Sequence, residues 1–420
     1  MRRVFYWLKV GLINATILFV LLELSAFFIY RVQQGTNFYQ QRPQLALLPE
    51  VEQGKVALKK YIHPYFGYMN YEPGAHFPNR EYNNFGFRSA GYDYPYVKSN
   101  PEEHIIGIFG GSVALQTFVR SRDIIIRGLQ ADPRYKDKKI VVLAFAQGGY
   151  KQPQQLQLLS YFLSIGQHFD TVINLDGFNE IVLSEKNARR GVAISMPSAG
   201  HMLEMMDILN QSELSAEKIE ALAEISRLKR RINRMAELAN QSNLAVGWFW
   251  ATTIRNIAVH DLSEVIVRYQ SIRSLPSKDS VVYLNPGSES LTRTQAFSKA
   301  ADYWRDTSIL MHKLATANDI KYLHVLQPNQ YFGNRIFGPE ETKIAIDFKH
   351  IYSANAKDGY PYLAARVDDF KAHGVQFASG LAILDQETQP VYVDACCHFN
   401  TTGTNLIAEF IVAQLLTNKE

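Results

Sequence analysis

The 420-residue chain has only two cysteines, and they are adjacent, Cys396 and Cys397. That count excludes a disulfide framework and the spaced-pair zinc motifs. Neighbouring Cα atoms lie closer than disulfides prefer, so two free thiols are expected. Charge of one sign is also scarce. The net charge is +4 and charged residues make up 20% of the chain, a balance that argues against a dedicated nucleic-acid binder. The eleven histidines form no H-x-x-x-H or H-x-H cluster, so no metal and no other cofactor is expected. There is no internal repeat and no low-complexity segment. With 47% apolar and 12% aromatic residues, the bulk of the chain can bury a sizeable core.

One long apolar run is present, Val10–Tyr30, VGLINATILFVLLELSAFFIY, with Glu23 as its only charge. About 20 apolar residues suffice to cross a bilayer. Arg2, Arg3 and Lys9 precede the run, which favours a cytoplasmic N-terminus and places the rest of the chain outside the cytoplasm. The run is longer than a usual signal-peptide core and no small-x-small site ends it, so a retained single-pass anchor is expected over a cleaved leader. Glu23 is read either as a residue with a partner or as a side chain that is protonated or snorkels to the interface; the second reading is expected.

Past this anchor, residues 1–31, a tether and irregular extension is expected over 32–100, where Tyr, Pro, Asn and Gly are dense (HPYFGYMNYEPG, NNFGFRSAGYDYPYVK). The main domain, 101–420, alternates short apolar runs with stretches of helical length. The runs are His104–Phe109, Lys139–Phe145, Thr171–Leu175 and Lys321–Leu326, with Val375–Phe377 as a candidate fifth. Short, β-branched and interrupted by helices, they predict buried parallel strands. Thr401–Leu416 carries apolar residues at helical spacing. An insertion at about 185–300 departs from a minimal α/β domain. Within it Ile219, Leu222, Ile225, Leu228, Ile232, Met235 and Leu238 predict an amphipathic helix. Its polar side carries Arg227, Lys229, Arg230, Arg231 and Arg234; Glu217, Glu220, Glu224 and Glu237 offset them, so a solvated face is expected rather than an anion-binding one.

Open α/β sheets bind ligands at the carboxyl ends of their strands, and those ends carry four short blocks. Gly110-Gly111-Ser112 follows the first run, where a serine at a tight turn exposes its hydroxyl beside backbone N–H groups. Gln147-Gly148-Gly149 follows the second, where glycine permits close backbone approach. Gly177-Phe178-Asn179-Glu180 follows the third; an Asn amide there can donate to an oxyanion. Near the C-terminus, Asp394-Ala395-Cys396-Cys397-His398 brings an acid and a histidine close enough to pair. Each block alone reads equally as a turn, a helix cap or a structural histidine.

Their order and placement resemble the SGNH/GDSL hydrolase family, whose blocks run Gly-x-Ser, a loop glycine, Gly-x-Asn, and a final Asp-x-x-His. Asn84-Phe85-Gly86-Phe87-Arg88 and Leu326-Gln327-Pro328-Asn329-Gln330 are similar to segments of membrane-anchored bacterial members. The resemblance covers about residues 60–415, interrupted by the insertion. It implies a flavodoxin-like three-layer α/β/α sandwich with a parallel sheet. It also implies Ser112 as nucleophile, His398 as base, Asp394 as the orienting acid, and an oxyanion hole of Ser112, Gly149 and Asn179. The chain departs from the family at Gly111, where an Asp is usual, at Glu180, where an Asp is usual, and at Ala144, where members often carry Asn. Asp394 and His398 lie four apart instead of three, which leaves open whether Asp394, another carboxylate or a backbone carbonyl orients the imidazole.

The function so implied is a serine esterase acting on O-acyl, above all O-acetyl, groups of an envelope or extracellular polysaccharide. The same residues would serve an O-acetyltransferase to such a polymer. A non-catalytic scaffold that binds a glycan or a membrane partner is the reading from a different class.

Overall fold

The β-branched runs form strands where their composition predicts them. The computed structural model describes residues 2–40, 44–45, 47–48, 60–70, 82–202, 215–272 and 290–417. In chain order the elements are α1 (Arg2–Gln34), β1 (Lys60–Tyr61), β2 (Met69–Asn70), β3 (Glu103–Gly110), α2 (Ser112–Gln130), β4 (Lys139–Ala146), α3 (Gln154–Ser164), β5 (Thr171–Asp176), α4 (Phe178–Arg189), α5 (Ala216–Gln241), α6 (Ala245–Ser271), α7 (Arg293–Thr316), β6 (Lys321–Leu326), α8 (Pro339–Ala345), α9 (Ser353–Ala364), α10 (Val367–Ala372), β7 (Gln376–Ser379) and α11 (Thr401–Thr417). By packing, the chain divides into two compact units, Met1–Leu58 with Leu214–Ser274, and Lys59–Glu213 with Leu275–Glu420. The expected extension 32–100 is thus divided at Leu58, and the expected insertion 185–300 contributes to both units.

The larger unit is α/β. Its main sheet has five strands in the order β4-β3-β5-β6-β7, all parallel. Alternate side chains along each strand feed two separate cores. Ile108, Val142, Ile173 and Leu323 pack with Phe118 and Ile125 of α2 and Ile407 and Ile411 of α11. Phe109, Phe145, Val172 and Tyr322 pack with Leu158 and Phe162 of α3 and Trp304 of α7. The second core also takes in Phe66, Tyr68, Phe87 and Tyr94, each 2% exposed or less. The described part of the Tyr- and Asn-rich segment is therefore folded into this unit. Asn83 Oδ1 accepts the N–H groups of Phe85 and Phe87, each at 3.0 Å. This shapes a loop whose Gly86 carbonyl accepts from Gln147 Nε2 at 2.9 Å, next to the loop glycines.

The smaller unit is helical. Helices α5 and α6 are joined by a short turn and pack through Ala221, Leu228, Ile232, Leu262 and Val265. The amphipathic pattern read over 219–238 thus forms one side of this pair, though Ile219 and Leu238 stay about half exposed. A second cluster joins Ala26 and Tyr30 of α1, Phe38, and Ala245 and Trp248 of α6. The stretch Tyr6–Val32 of α1 is long and apolar enough to cross a membrane, with a mean hydropathy of 2.2 and only 6% of it buried.

Glu23 is not left to snorkel, contrary to the expectation from sequence. Its carboxylate accepts the backbone N–H groups of Ala245 at 2.6 Å and Val246 at 2.9 Å, and the Tyr39 hydroxyl donates to it as well. Ala245 and Val246 open α6, whose first N–H groups have no partner inside the helix. An anion at that end satisfies them and complements the helix dipole.

Candidate active site

Ser112 lies at the carboxyl end of β3 as the first residue of α2, with Gly111 as N-cap. The turn is tight because another side chain needs the space: a Cβ on Gly111 would fall 2.2 Å from Asn179 Nδ2. The Asp usual at this place in the resembling family would not fit here without displacing that amide. Asn179 stands in the first turn of α4, after β5. Strands β3 and β5 are neighbours, and β4 pairs with the other side of β3. Chain connections from β3 and β5 therefore diverge, which opens a crevice between their carboxyl ends.

His398 comes from the segment before α11. Its Nε2 lies 2.9 Å from Ser112 Oγ, and its Nδ1 lies 2.5 Å from Asp394 Oδ2. Asp394 Oδ1 meanwhile accepts the N–H groups of Cys396, Cys397 and His398 at 2.9, 3.0 and 3.2 Å. The carboxylate closes the turn with one oxygen and meets the imidazole with the other, so the four-residue interval brings acid and base into contact. Burial on its own would raise the Asp394 carboxyl. The His398 hydrogen bond and charge and the backbone donors outweigh it and hold it at about 2. With Asp394 ionised, the proton between the pair belongs to His398 Nδ1, which leaves Nε2 free to accept from Ser112.

The two candidate oxyanion donors beyond Ser112 differ in how they are held. Asn179 Nδ2 donates to the Tyr150 carbonyl at 2.8 Å, which fixes the amide and leaves its second N–H beside the Ser112 turn. Gly149 has φ +80°, and a Cβ there would sit 2.3 Å from the His201 ring. Gly148, by contrast, has open space around it. Of the two loop glycines, then, Gly149 is the one the backbone demands.

His201 was not legible as part of the site from sequence. It follows a turn in which Asn187 takes the Ala199 N–H at 2.9 Å and donates to the Met196 and Pro197 carbonyls, both at 3.1 Å. The ring stacks on Tyr68 at 5.4 Å, and the Tyr68 hydroxyl donates to the Gly148 carbonyl at 2.8 Å. Only the positional accident of the fold brings these residues to the glycine loop.

Beneath the crevice lies a buried polar network. Glu180 accepts the Gly177 N–H at 2.7 Å, the Gln152 N–H at 2.9 Å and Gln155 Nε2 at 3.2 Å. It thereby ties the Asn179 turn to the loop after Tyr150. Asp176 accepts from Trp304 Nε1 at 2.7 Å and pairs with His324 Nε2 at 2.8 Å.

Cys396 and Cys397 are free thiols with sulfurs 3.2 Å apart. Burial, then the Cys396 contact, pushes the Cys397 thiol up. With His398 they offer three metal-capable atoms within 4.8 Å of one another. Both nitrogens of His398 already face Ser112 and Asp394, so a metal here would compete with that pair. In comparison with known proteins, no family model matches this chain and no curated protein matches it with significance.

Proposed function

We propose that this chain is a membrane-anchored serine esterase of the SGNH type, with Ser112 as nucleophile, His398 as general base and Asp394 as the acid that orients it. The observation that carries the reading is the continuous Ser112–His398–Asp394 hydrogen-bonded chain at the strand ends. Read along the chain, the main sheet has the strand order 2-1-3-4-5, which is that of flavodoxin-like sheets, and the chain sits at the switch point where such sheets bind ligands. This supports the flavodoxin-like fold that the resemblance implies.

In the reaction, Ser112 Oγ attacks the ester carbonyl as its proton passes to His398 Nε2. Asp394 stabilises the imidazolium. The oxyanion is met by the N–H groups of Ser112 and Gly149 and by the Asn179 amide. The leaving alcohol takes the proton from His398, and a water, deprotonated in turn by His398, releases the acid from Ser112. The substrate is an O-acylated, above all O-acetylated, polysaccharide of the envelope or the extracellular space, where an anchored enzyme meets such polymers. A sugar hydroxyl in place of that water would make the same site an O-acetyltransferase.

Retention of the anchor is supported by the smaller unit. Ala26 and Tyr30 are 4% and 1% exposed, so cleavage after the apolar run would remove part of a folded cluster. Arg2, Arg3 and Lys9 before the apolar run favour a catalytic unit on the extracytoplasmic side.

A fluorophosphonate serine probe on the detergent-solubilised protein tests the central claim. Labelling that is lost in Ser112→Ala is expected. No labelling of the folded protein, together with specific glycan binding, would favour the scaffold reading. A reporter fused after Glu420 tests the topology and should be active only outside the cytoplasm.

A further inference from the structure

Helix α4 begins at the candidate oxyanion residue and ends at two cations. Lys186 lies seven residues beyond Asn179, close to two full turns, so both fall on one face, about 10 Å apart along the axis. Arg190, at the helix C-cap, continues that stripe. The turn carrying His201 brings Gly200 against the same place. A Cβ on Gly200 would meet Arg190 Nη1 at 3.5 Å and Lys186 Nζ at 3.7 Å.

Lys186 is only 7% exposed. Its ammonium lies 3.5 Å from the Tyr352 hydroxyl and 5.2 Å from the centre of that ring. Among the described residues no carboxylate stands within ion-pair distance of it. The adjacent Glu185 is engaged elsewhere, with Arg189 at 2.9 Å and with Asn355. A buried ammonium without a counter-ion is costly. Burial, and then Arg190 and Arg189, lower its pKa to about 8, with Glu185 and then Cys396 acting in the opposite sense from beyond ion-pair distance.

The location ties this cation to the crevice. Tyr352 packs edge-on to Phe178 at 6.1 Å, and Phe178 immediately precedes Asn179. Gly149 lies against the His201 ring, and Gly200, the residue before His201, lies against Lys186 Nζ. Lys186 stands about two helical turns along α4 from Asn179, so a substrate held at Ser112 and Asn179 would reach it with a group removed from the reacting carbonyl. That distance suits a neighbouring sugar better than the acylated one.

We propose that Lys186, with Arg190 beside it, forms a subsite for an anionic group of the substrate, so that the esters cleaved are those of a negatively charged polysaccharide. The proposal rests on the reading of Ser112 as the ester-cleaving nucleophile. Carboxylate and phosphate share the chemistry that a lysine ammonium and an arginine guanidinium recognise.

Full-length protein in detergent is assayed on O-acetylated oligogalacturonide, on an O-acetylated neutral xylo-oligosaccharide, and on an O-acetylated sugar phosphate. The expected result is a higher kcat/KM on an anionic substrate, carried by KM and weakened by salt. The carboxylate and phosphate arms show which anion is preferred. Lys186→Gln should lower the anionic-to-neutral ratio of kcat/KM by about tenfold or more, and Lys186→Arg should keep most of it. Equal preference for neutral and anionic esters in the wild type, or a ratio unchanged in Lys186→Gln, overturns the subsite. Should Lys186→Gln fail to fold, the wild-type ratio and its salt dependence still decide.

A separate arm measures binding of deacetylated oligogalacturonide to Ser112→Ala, with and without Lys186→Gln. If no ester is cleaved at all, the esterase reading fails. The binding arm then judges Lys186 alone: weaker binding in the double variant upholds the subsite, and equal binding removes it.

Discussion

Asp394 reaches His398 from four residues away because its two oxygens do different work. Oδ1 gathers three backbone N–H groups into a turn, and Oδ2 meets the imidazole at 2.5 Å. Asp394→Asn separates these roles. The amide oxygen can still accept the turn donors, but its NH2 group would donate to Nδ1 and drive the imidazole proton to Nε2. His398 could then no longer take the proton of Ser112. Aryl-ester hydrolysis should fall about 10,000-fold, and the thermal midpoint at neutral pH should fall as well, because the carboxylate's charge and its bond to His398 are lost. An unaltered rate would remove Asp394 from the site. Because the Asp394 pKa is depressed, the stability it contributes is present above the ordinary aspartate range and is lost only as pH falls toward about 2.

The glycine pair after Gln147 offers a comparison within one loop. Gly149→Ala places a methyl group against the His201 ring and demands a left-handed backbone from alanine. The N–H at this position should turn away from the crevice, and kcat should fall about 100- to 1,000-fold, as for loss of an oxyanion donor. Gly148→Ala meets no neighbour and should stay within a few fold of wild type. Equal effects from the two substitutions would argue that Gly149 supplies no donor.

Parts of this architecture were open to reading from sequence because they depend on local chemistry. The runs at 104–109, 139–145, 171–175 and 321–326 are β-branched and flanked by turns, and all four are strands of the sheet. Ser112 and Asn179 were legible because they follow such runs directly. The pairing of Asp394 with His398 stayed open, since its four-residue interval works only through a turn closed by the side chain itself. His201 gave no signal: its place against Gly149 depends on Asn187 folding the chain back. The backbone partners of Glu23, Ala245 and Val246, are more than two hundred residues away, and no spacing rule reaches that far.

Glu180 gives the fold a pH dependence of defined sign. Burial and the nearby Asp176 carboxylate raise its pKa, against the N–H donors that favour its ionised form. The folded protein therefore binds a proton that the unfolded chain has already released. Stability from this residue is present below the ordinary glutamate range and is lost as pH rises toward the folded value. The thermal midpoint should fall from about pH 5 to about pH 8, and Glu180→Gln should flatten that slope. A slope that persists in Glu180→Gln must come from another group.

Glu23 tests whether α1 and the helical pair fold as one body. Its carboxylate caps α6 through Ala245 and Val246 from within the otherwise apolar run Val10–Tyr30. Capping groups contribute about 0.5–2 kcal/mol, so Glu23→Ala should speed amide exchange at those two residues up to about thirtyfold. The interhelical contacts of α5 with α6 do not involve Glu23, and exchange in the middle of α6 should change much less. Hydrogen-exchange mass spectrometry on the full chain in micelles reads both regions at once. If the Ala245 and Val246 amides exchange at wild-type rates in Glu23→Ala, the carboxylate is not their partner. An acid inside the apolar run would then need another explanation.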